Sequence, residues 1–206
     1  MTENLAYWVG FSKVAGIGPM RLRKLLDYFG DIQSAWQANL GELAAVGLER
    51  RAIENLATTR QALDLDAELR KIEELGVSVF TWESADYPPQ LRNIPGSPFI
   101  LYLRGEILAQ DEWALAVVGT RSASVYGKEV TRMLVSGLAS SGVTIVSGLA
   151  LGIDTQAHQS ALDAGGRTLA VLGSGVDNIY PRRNQKLAEQ ILQRGAIISE
   201  FPLGTR

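Results

Sequence analysis

The stretch LAVVGTRSASVYGKEVTRMLVSGLASSGVTIVSGLALGID, residues 115–154, contains two short apolar runs rich in β-branched residues. The first run ends at Gly119 and the second ends at Ser147-Gly148, with a helical pattern between them. Short β-branched runs that are closed by small residues are typical of buried parallel strands. The stretch therefore predicts a βαβ unit, whose ligand crevice lies outside the carboxyl ends of the strands.

Similar apolar runs continue along the rest of the chain. They end at Gly119, Gly148, Gly173 and Ser199, at intervals of 29, 25 and 26 residues. Each interval accommodates one strand, one helix and two short turns, so the runs are predicted to be successive parallel strands. The expected fold class is α/β, an open Rossmann-like sheet that is mostly parallel and flanked by helices.

Three helices are predicted between these strands, over residues 126–140, 154–164 and 184–194. The first is expected to bury an apolar stripe made of Val130, Met133, Leu134 and Leu138. Asp154 and Asn184 are of residue types that cap helix N-termini, and both are predicted to do so here.

A small all-α domain is predicted over residues 1–62, followed by the sheet domain over residues 63–206. Apolar positions at helical spacing indicate a first helix over residues 5–13. Pro19 suits the first position of the next helix, and Gly30 is expected to end it.

The turn between these two helices reads Gly16-Ile17-Gly18-Pro19, and a weaker echo lies at residues 43–48. The region resembles a helix-hairpin-helix (SAM-like) module, whose turn can present backbone N–H groups to a DNA phosphate. Gly16, Gly18, Arg21 and Lys24 are the candidate secondary DNA contacts. The alternative is that the hairpins only pack helices together.

The segment before the parallel series is predicted to add one helix and two strands, over residues 64–75, 77–81 and 99–105. Four prolines at positions 88, 89, 95 and 98 are expected to exclude a helix there and to give an ordered connection.

The composition narrows the classes of function. A chain of 206 residues with 46% apolar residues can bury a sizeable core, and its net charge of -2 gives no general attraction to nucleic acid or anionic membranes. The chain lacks cysteine and has a single histidine, His158, which excludes disulfides, a thiolate nucleophile and a histidine-rich metal site. No metal or cofactor is predicted. Without a membrane-length apolar run or a basic leader, we expect a cytoplasmic protein with no membrane partner.

Small and basic residues follow the strands at one edge of the predicted sheet. Glycines let a ligand approach the backbone, helix N-termini carry partial positive charge, and arginines add formal charge, so a phosphate-binding site is predicted. Tyr180 can stack on a base or pack against Pro181. The candidate residues are Gly119, Thr120, Arg121, Ser122, Ser147, Gly148, Gly173, Tyr180, Arg182, Arg183 and Asn184.

Two common nucleotide signatures, the G-x-G-x-x-G fingerprint and the Walker A sequence, are missing. The phosphate groups are therefore expected to belong to a larger polyanion.

In a competing interpretation, Arg121 pairs with Glu200 at a neighbouring strand end. His158 is expected to make a structural hydrogen bond in preference to transferring protons. A nucleotide hydrolase of the phosphoribohydrolase type and a protein-interaction scaffold are the alternative functions, although the PGGxGTxxE segment of those hydrolases is absent.

Five segments resemble the DNA-processing protein A family (DprA, also called Smf) in their order and spacing. They are YPPQLRNIPGSPFILYLRG, VGTR, SGLALGIDTQAH, AVLGSGVDNIYPRRN and SEFPLG. The resemblance, which extends to the N-terminal hairpin module, implies a non-enzymatic protein of bacterial natural transformation that binds and protects single-stranded DNA. The resemblance also implies two partners. One is RecA recombinase, which members of the family help to load on the DNA, and the other is a second copy of the chain.

The resemblance further implies that the DNA backbone lies in a basic pocket at the strand ends. Arg121 would be the leading phosphate contact, with Arg182, Arg183 and Asn184 on the other side. The family's sheet normally continues into a run containing F-P-x-R-N-R, which this sequence lacks. Either the chain is truncated or its sheet ends early, and a missing basic segment would weaken DNA binding and could remove surface used for dimerisation.

Overall fold

The computed structural model describes residues 2–206, with side chains from Asn4 onward. The chain divides into two compact units, Met1–Leu101 and Tyr102–Arg206. The predicted division after residue 62 coincides with the end of a helix at Arg50–Ala62, and as a domain boundary it stays a prediction.

Helices dominate the first unit. In chain order they are α1 (Thr2–Ser12), α2 (Pro19–Phe29), α3 (Ile32–Gln37), α4 (Leu40–Ala45), α5 (Arg50–Ala62) and α6 (Leu65–Glu74). Helix α2 begins at Pro19 and ends at Gly30, whose φ of 86° lets its N–H bond to the carbonyl of Leu26, so both predicted boundaries are confirmed. Trp8, Phe11 and Leu22 are among the fully buried side chains that hold these helices together.

The proline-rich segment contains a helix that was predicted to be absent. After strand β1 (Ser78–Thr81), residues Pro89–Arg92 form the four-residue helix α7. Pro89 takes the first helical position, where no N–H donor is needed and the fixed φ of proline is already suitable. The prediction was therefore wrong, because prolines disrupt only the interior of a helix.

A six-stranded sheet confirms the predicted α/β class. The remaining strands are β2 (Ile100–Gly105), β3 (Ala114–Ala116), β4 (Thr144–Ser147), β5 (Thr168–Leu172) and β6 (Ala196–Ser199). Their order is β1-β2-β6-β5-β4-β3, with β3 to β6 mutually parallel and β2 antiparallel to β6. The carboxyl ends of the four parallel strands consequently share one edge of the sheet.

The connections between the parallel strands contain α8 (Val125–Ser140), α9 (Ile153–Asp163) and α10 (Gln185–Leu192). The predicted inner stripe of α8 is correct only in part: Leu138 packs against the core, whereas Met133 and Leu134 are 61% and 56% exposed. Helix α8 instead buries Val135 and Ala139 in a cluster with Ala157 and Ala161 of α9. The buried face of α8 therefore lies beside the predicted one and overlaps it at Leu138.

No helix within residues 2–206 combines the length and the apolar character that crossing a membrane requires.

Candidate nucleic-acid interface

A cavity of about 310 Å³ lies at the carboxyl ends of the parallel strands. Four of the predicted residues line it: Arg121, Gly148, Gly173 and Tyr180. They come from the connections after β3, β4 and β5, which meet at this edge as expected. Its complete lining is Arg121, Gly148, Ala150, Leu151, Leu172, Gly173, Ser174, Tyr180, Pro181 and Arg206.

Four arginines supply positive charge at or beside this cavity. Arg121 and Arg206 line it, while Arg182 and Arg183 follow the lining residue Pro181 in a short 3-10 turn, Arg182–Asn184. All four are exposed, and none makes an ion pair with any residue that the structure describes. Unpaired guanidinium groups are suited to bind phosphate oxygens in a bidentate manner.

The proposed pairing of Arg121 with Glu200 is not formed in this structure. Arg121 follows β3 and Glu200 follows β6, and β4 and β5 lie between these two strands. The expectation that they occupy neighbouring strand ends was wrong, because chain order alone does not give strand order. Arg121 is left free for another anion.

The loop after β3 is held against the start of α9. Gly152 has a φ of 83°, and a Cβ atom there would collide with the carbonyl oxygens of Thr120 and Arg121. The backbone N–H of Ile153 donates to the carbonyl of Thr120 over 3.2 Å. Thr120 also accepts, through its hydroxyl, the N–H of Ser122. A glycine at position 152 is thus required to bring the Arg121 loop against this helix.

Asp154 does not cap α9, contrary to prediction. The N-cap is Gly152, and the Oδ2 atom of Asp154 accepts the backbone N–H groups of Gly148 and Ala150 at 3.2 and 3.3 Å. The carboxylate therefore stabilises the loop after β4 and occupies the N–H of Gly148, which was a candidate phosphate donor. Ser147 is likewise engaged, since its hydroxyl donates to the carbonyl of Val117.

Asn184 is 3% exposed and holds the loop after β4 in place. Its Nδ2 atom donates to the carbonyl of Leu149 and to the hydroxyl of Thr155, both at 2.8 Å. The predicted N-cap position is correct, but the side chain makes no capping hydrogen bond. Its buried amide therefore positions the loop from within and is not presented to solvent.

Leu149 adopts a φ of 59°, and among the described residues it is the one non-glycine residue in the left-handed region. Such a conformation costs about 1–3 kcal/mol and is typical of functional sites. The hydrogen bond from Asn184 to its carbonyl and the complete burial of its side chain hold it there.

Tyr180 extends its ring into solvent beside the cavity. The residue is 72% exposed, so the ring does not pack away against Pro181, to which it is joined by a cis peptide bond. An exposed aromatic face next to a cationic cavity is the arrangement on which an unpaired base stacks.

His158 lies in the core beneath the site and is fully buried. Its Nδ1 atom is 2.7 Å from the hydroxyl of Thr168, which in turn donates to the carbonyl of Ile145. Burial lowers the pKa of His158 to about 4, although a hydrogen bond with the backbone of Ser147 opposes this shift. The imidazole is therefore neutral near pH 7, and the structure shows the structural hydrogen bond that was expected.

In the hairpin turn of the first unit, the side chain of Arg21 is engaged within the protein. Arg21 donates to the carbonyl of Gly16 and forms an ion pair of 2.5 Å with Glu49. Gly18 is the N-cap of α2, and Lys24 is exposed further along the helix. The main candidate for a phosphate contact in this turn, Arg21, is thus already paired.

A larger cavity, of about 810 Å³, lies at the opposite end of the strands. Residues from the C-terminal ends of α8, α9 and α10 line it, and helix C-termini disfavour anions. Its Arg167 is tied to Asp111 by an ion pair of 2.7 Å. Burial alone raises the pKa of Asp111, but hydrogen bonds from Arg167, Leu108 and Thr144 outweigh it and lower the pKa overall. At this end of the sheet, the charge of Arg167 is therefore already paired.

Comparison with known proteins identifies the family to which these features belong. The model of the family described as DNA recombination-mediator protein A matches residues 78–206. The chain belongs to this family. Protein Smf from Synechocystis sp. is 39% identical over 208 residues, which cover 98% of this chain and 52% of that protein. The chain spans about half the length of the curated Smf relatives from Synechocystis and Escherichia coli.

Two solved structures of DNA processing protein A resemble this member of the family. The X-ray structure of DprA from Streptococcus pneumoniae has a TM-score of 0.77 at 32% identity and covers 98% of this chain and 69% of that chain. DprA from Helicobacter pylori, described for its single-stranded DNA binding mode, has a TM-score of 0.56 at 32% identity. That match covers 63% of this chain and 58% of the Helicobacter chain.

Two site residues of this DprA relative were missed by the sequence analysis. Arg206 lines the cavity, and the residue before it is held in place. The backbone carbonyl of Thr205 accepts hydrogen bonds from the N–H of Gly175 and from the side-chain amide of Asn178. Thr155 supports the loop after β4 by donating to the carbonyl of Ala150. Neither residue follows a strand directly, so the strand-end pattern contains no signal for them.

Proposed function

We propose that this protein binds single-stranded DNA by its phosphate backbone at the cavity formed by the strand ends. The observation that carries the proposal is the set of four unpaired arginines at or beside the cavity, Arg121, Arg182, Arg183 and Arg206. The net charge of the chain is -2, so this local concentration of positive charge is not a consequence of general basicity.

Backbone recognition explains the composition of the site. Charged contacts to phosphates supply affinity for any sequence, whereas reading a base needs donors and acceptors placed against its edge. Ser147, Asn184 and the N–H of Gly148 are all engaged within the protein, which leaves charge and shape as the means of binding. Tyr180 adds a stacking surface that accepts any base.

We assign different roles to the predicted contacts. Arg121 is the leading phosphate contact, and Arg182, Arg183 and Arg206 extend the charged surface. Gly119, Thr120 and Ser122 shape the Arg121 loop, and Gly173 leaves space in the cavity wall. Ser147 and Asn184 act as positioning residues, since both side chains are buried and hydrogen-bonded inside the protein.

Replacing Arg121 tests the proposal. Arg121→Ala is expected to weaken binding of a fluorescent oligothymidine by tenfold or more, about 1.4 kcal/mol, because a charge-assisted contact is lost. Arg194→Ala is the matched control, since it removes the same charge from the opposite end of the strands. Unchanged affinity of a folded Arg121→Ala protein, or equal losses in the two variants, would contradict the assignment.

The salt dependence of binding provides a second measurement. The logarithm of the association constant is expected to fall linearly with the logarithm of salt concentration, by about 0.7 for each phosphate neutralised on a single strand. Arg121→Ala should reduce this slope by about 0.7, and Arg194→Ala should leave it unchanged. A flat dependence would argue for recognition without phosphate contacts.

Wider roles follow from family membership. We infer that the protein acts in bacterial natural transformation in the cytoplasm, where it protects incoming single-stranded DNA and helps to load RecA recombinase, with a homodimer as the working form. RecA filament formation on oligothymidine, measured with and without the protein, tests the loading role. Sedimentation equilibrium tests the homodimer.

A binding role fits the site better than catalysis. His158 is buried and hydrogen-bonded, and the carboxylate of Asp154 accepts two backbone N–H groups. Both groups already make hydrogen bonds within the protein. Incubation with a panel of nucleoside monophosphates is expected to release no free base, and release would favour the hydrolase alternative.

A further inference from the structure

A second groove of about 550 Å³, within the first unit, lies beside α2. This volume is within the range of about 300–1,000 Å³ that is typical of ligand sites. Its walls come from α2 and from the segment after α7, and the residues that matter here are Met20, Lys24, Asp27, Trp82 and Ile94.

Apolar side chains form the rim of this groove. Met20 is 74% exposed and Ile94 is 45% exposed, and both line the groove. Pro19 and Pro95 extend the same wall. Burial of these surfaces by a partner would be favourable, at about 25 cal/mol for each square ångström of apolar area.

Cations outnumber anions along the groove. Arg23, Lys24 and Arg92 face a single carboxylate, Asp27. Arg92 is committed to the fold, because it donates to the carbonyls of Trp82 and Ser84. Lys24 is exposed and forms no ion pair with any residue between positions 2 and 206.

Trp82 has a donor that the protein does not satisfy. Its indole nitrogen is buried and has no hydrogen-bond partner within the described part of the chain. A buried polar group without a partner is unfavourable. Trp82 also lines the groove, so its indole N–H is a probe for a ligand bound there.

The groove suits a peptide better than a nucleic acid. Arg23 covers the face of Trp82, with its guanidinium carbon 4.4 Å from the ring centroid. Trp8 and Phe99 pack against the same ring at centroid distances of 6.2 Å. Trp82 therefore offers no open aromatic face on which a base could stack.

We propose that this groove binds a short acidic peptide segment of a partner protein that also carries a large apolar side chain. The apolar side chain packs between Met20 and Ile94, and one carboxylate pairs with Lys24. The site is independent of the DNA site proposed above and persists if that proposal fails.

Fluorescence anisotropy with the labelled peptide Asp-Glu-Asp-Leu-Phe tests this site on the full chain. We expect saturable binding, and we expect the neutral peptide Asn-Gln-Asn-Leu-Phe and the peptide Asp-Glu-Asp-Ser-Ser each to bind at least about tenfold more weakly, because one lacks charge and the other lacks apolar contact. Equal binding of all three peptides would overturn the proposal.

Three substitutions locate the binding to the groove. Lys24→Glu is expected to weaken binding of the acidic peptide by about tenfold or more, and Asp27→Asn to strengthen it. Arg51→Glu is the matched control, since Arg51 is an exposed cation on α5 with the same change of charge. Similar losses in Lys24→Glu and Arg51→Glu would show a general charge effect and contradict the site.

The tryptophan signal separates binding from altered folding. In a ¹⁵N-correlated NMR spectrum the chain has four indole N–H signals, and Trp82→Phe identifies that of Trp82. Only this signal is expected to move strongly when the acidic peptide binds. An unmoved Trp82 signal, or displacement of the peptide by excess oligothymidine, would overturn the assignment to a peptide.

Discussion

The side-chain nitrogen of Asn184 lies 2.8 Å from the carbonyl oxygen of Leu149, which is 35 residues earlier in the chain. This hydrogen bond joins the turn that carries Arg182 and Arg183 to the loop after β4, which forms part of the cavity wall. One buried amide thus fixes the relative positions of charged and lining residues that come from different connections.

Asn184→Ala is expected to lower the free energy of unfolding by at least about 2 kcal/mol, because the buried acceptors at Leu149 and Thr155 lose their donor. Urea unfolding measures this change. We also expect weaker oligothymidine binding although every arginine remains, since the turn is no longer held. Asn93→Ala removes an exposed amide and should change neither quantity. Wild-type stability in the Asn184→Ala protein would show that this hydrogen bond is not important for the fold.

Gly152→Ala and Gly142→Ala form a matched pair for the Arg121 loop. Both glycines have a positive φ, 83° and 84°, so each alanine is expected to cost about 1–2 kcal/mol of backbone strain. Only at Gly152 would the new Cβ meet backbone atoms, those of Thr120 and Arg121, whereas none lies within 4 Å at Gly142. Gly152→Ala should therefore be the less stable protein by urea unfolding and the weaker binder of oligothymidine. Equal effects at the two positions would mean that the loops can separate without penalty.

His158 is expected to make stability depend on pH between about 6.5 and 4. The pKa of the histidine is lowered from 6.5 to about 4 in the folded protein, so in that interval the unfolded chain binds the proton more tightly. Stability is then fully present above pH 6.5, falls as the pH is lowered and levels off below pH 4, with a total loss approaching about 3 kcal/mol.

Urea unfolding at pH 7, 6, 5 and 4.5 measures this dependence. His158 is the only histidine in the chain, so no other side chain with an ordinary pKa titrates between pH 6.5 and 5. His158→Gln has no group that titrates there and should remove most of the slope. A slope that persists in His158→Gln would assign it to other groups.

Adjacent residues of α8 test which face of this helix is buried. Val135→Ala should lower the free energy of unfolding by about 1–3 kcal/mol, because it leaves a cavity in the cluster with Ile145 and Ala157. Leu134→Ala should change it by less than about 0.5 kcal/mol, since that side chain is exposed. Chemical unfolding of the two variants measures both changes. A larger loss of stability in Leu134→Ala than in Val135→Ala would support the buried stripe that was predicted from the sequence.

The regular spacing of apolar runs was enough to predict a mostly parallel α/β sheet and the edge at which its polar residues gather. Local rules also placed the ends of α2 at Pro19 and Gly30, because the lost N–H of proline and the positive φ of glycine act within one turn. Arg121 could be selected on the same basis, since it lies just after the first apolar run. These features depend on neighbours in the sequence.

Other features depend on contacts between segments that are distant along the chain. The separation of Arg121 from Glu200 follows from strand order, and the role of Asp154 follows from the path of the loop that begins at Gly148. Met133 is exposed because the face of α8 that packs against α9 carries Val135 and Ala139 instead. The sequence by itself determined the parallel strands, their connecting helices and the sheet edge, because hydrophobic periodicity and chain stiffness are local. Only the tertiary structure decided which charges remain unpaired at that edge, because pairing depends on distances between residues that folding alone brings together.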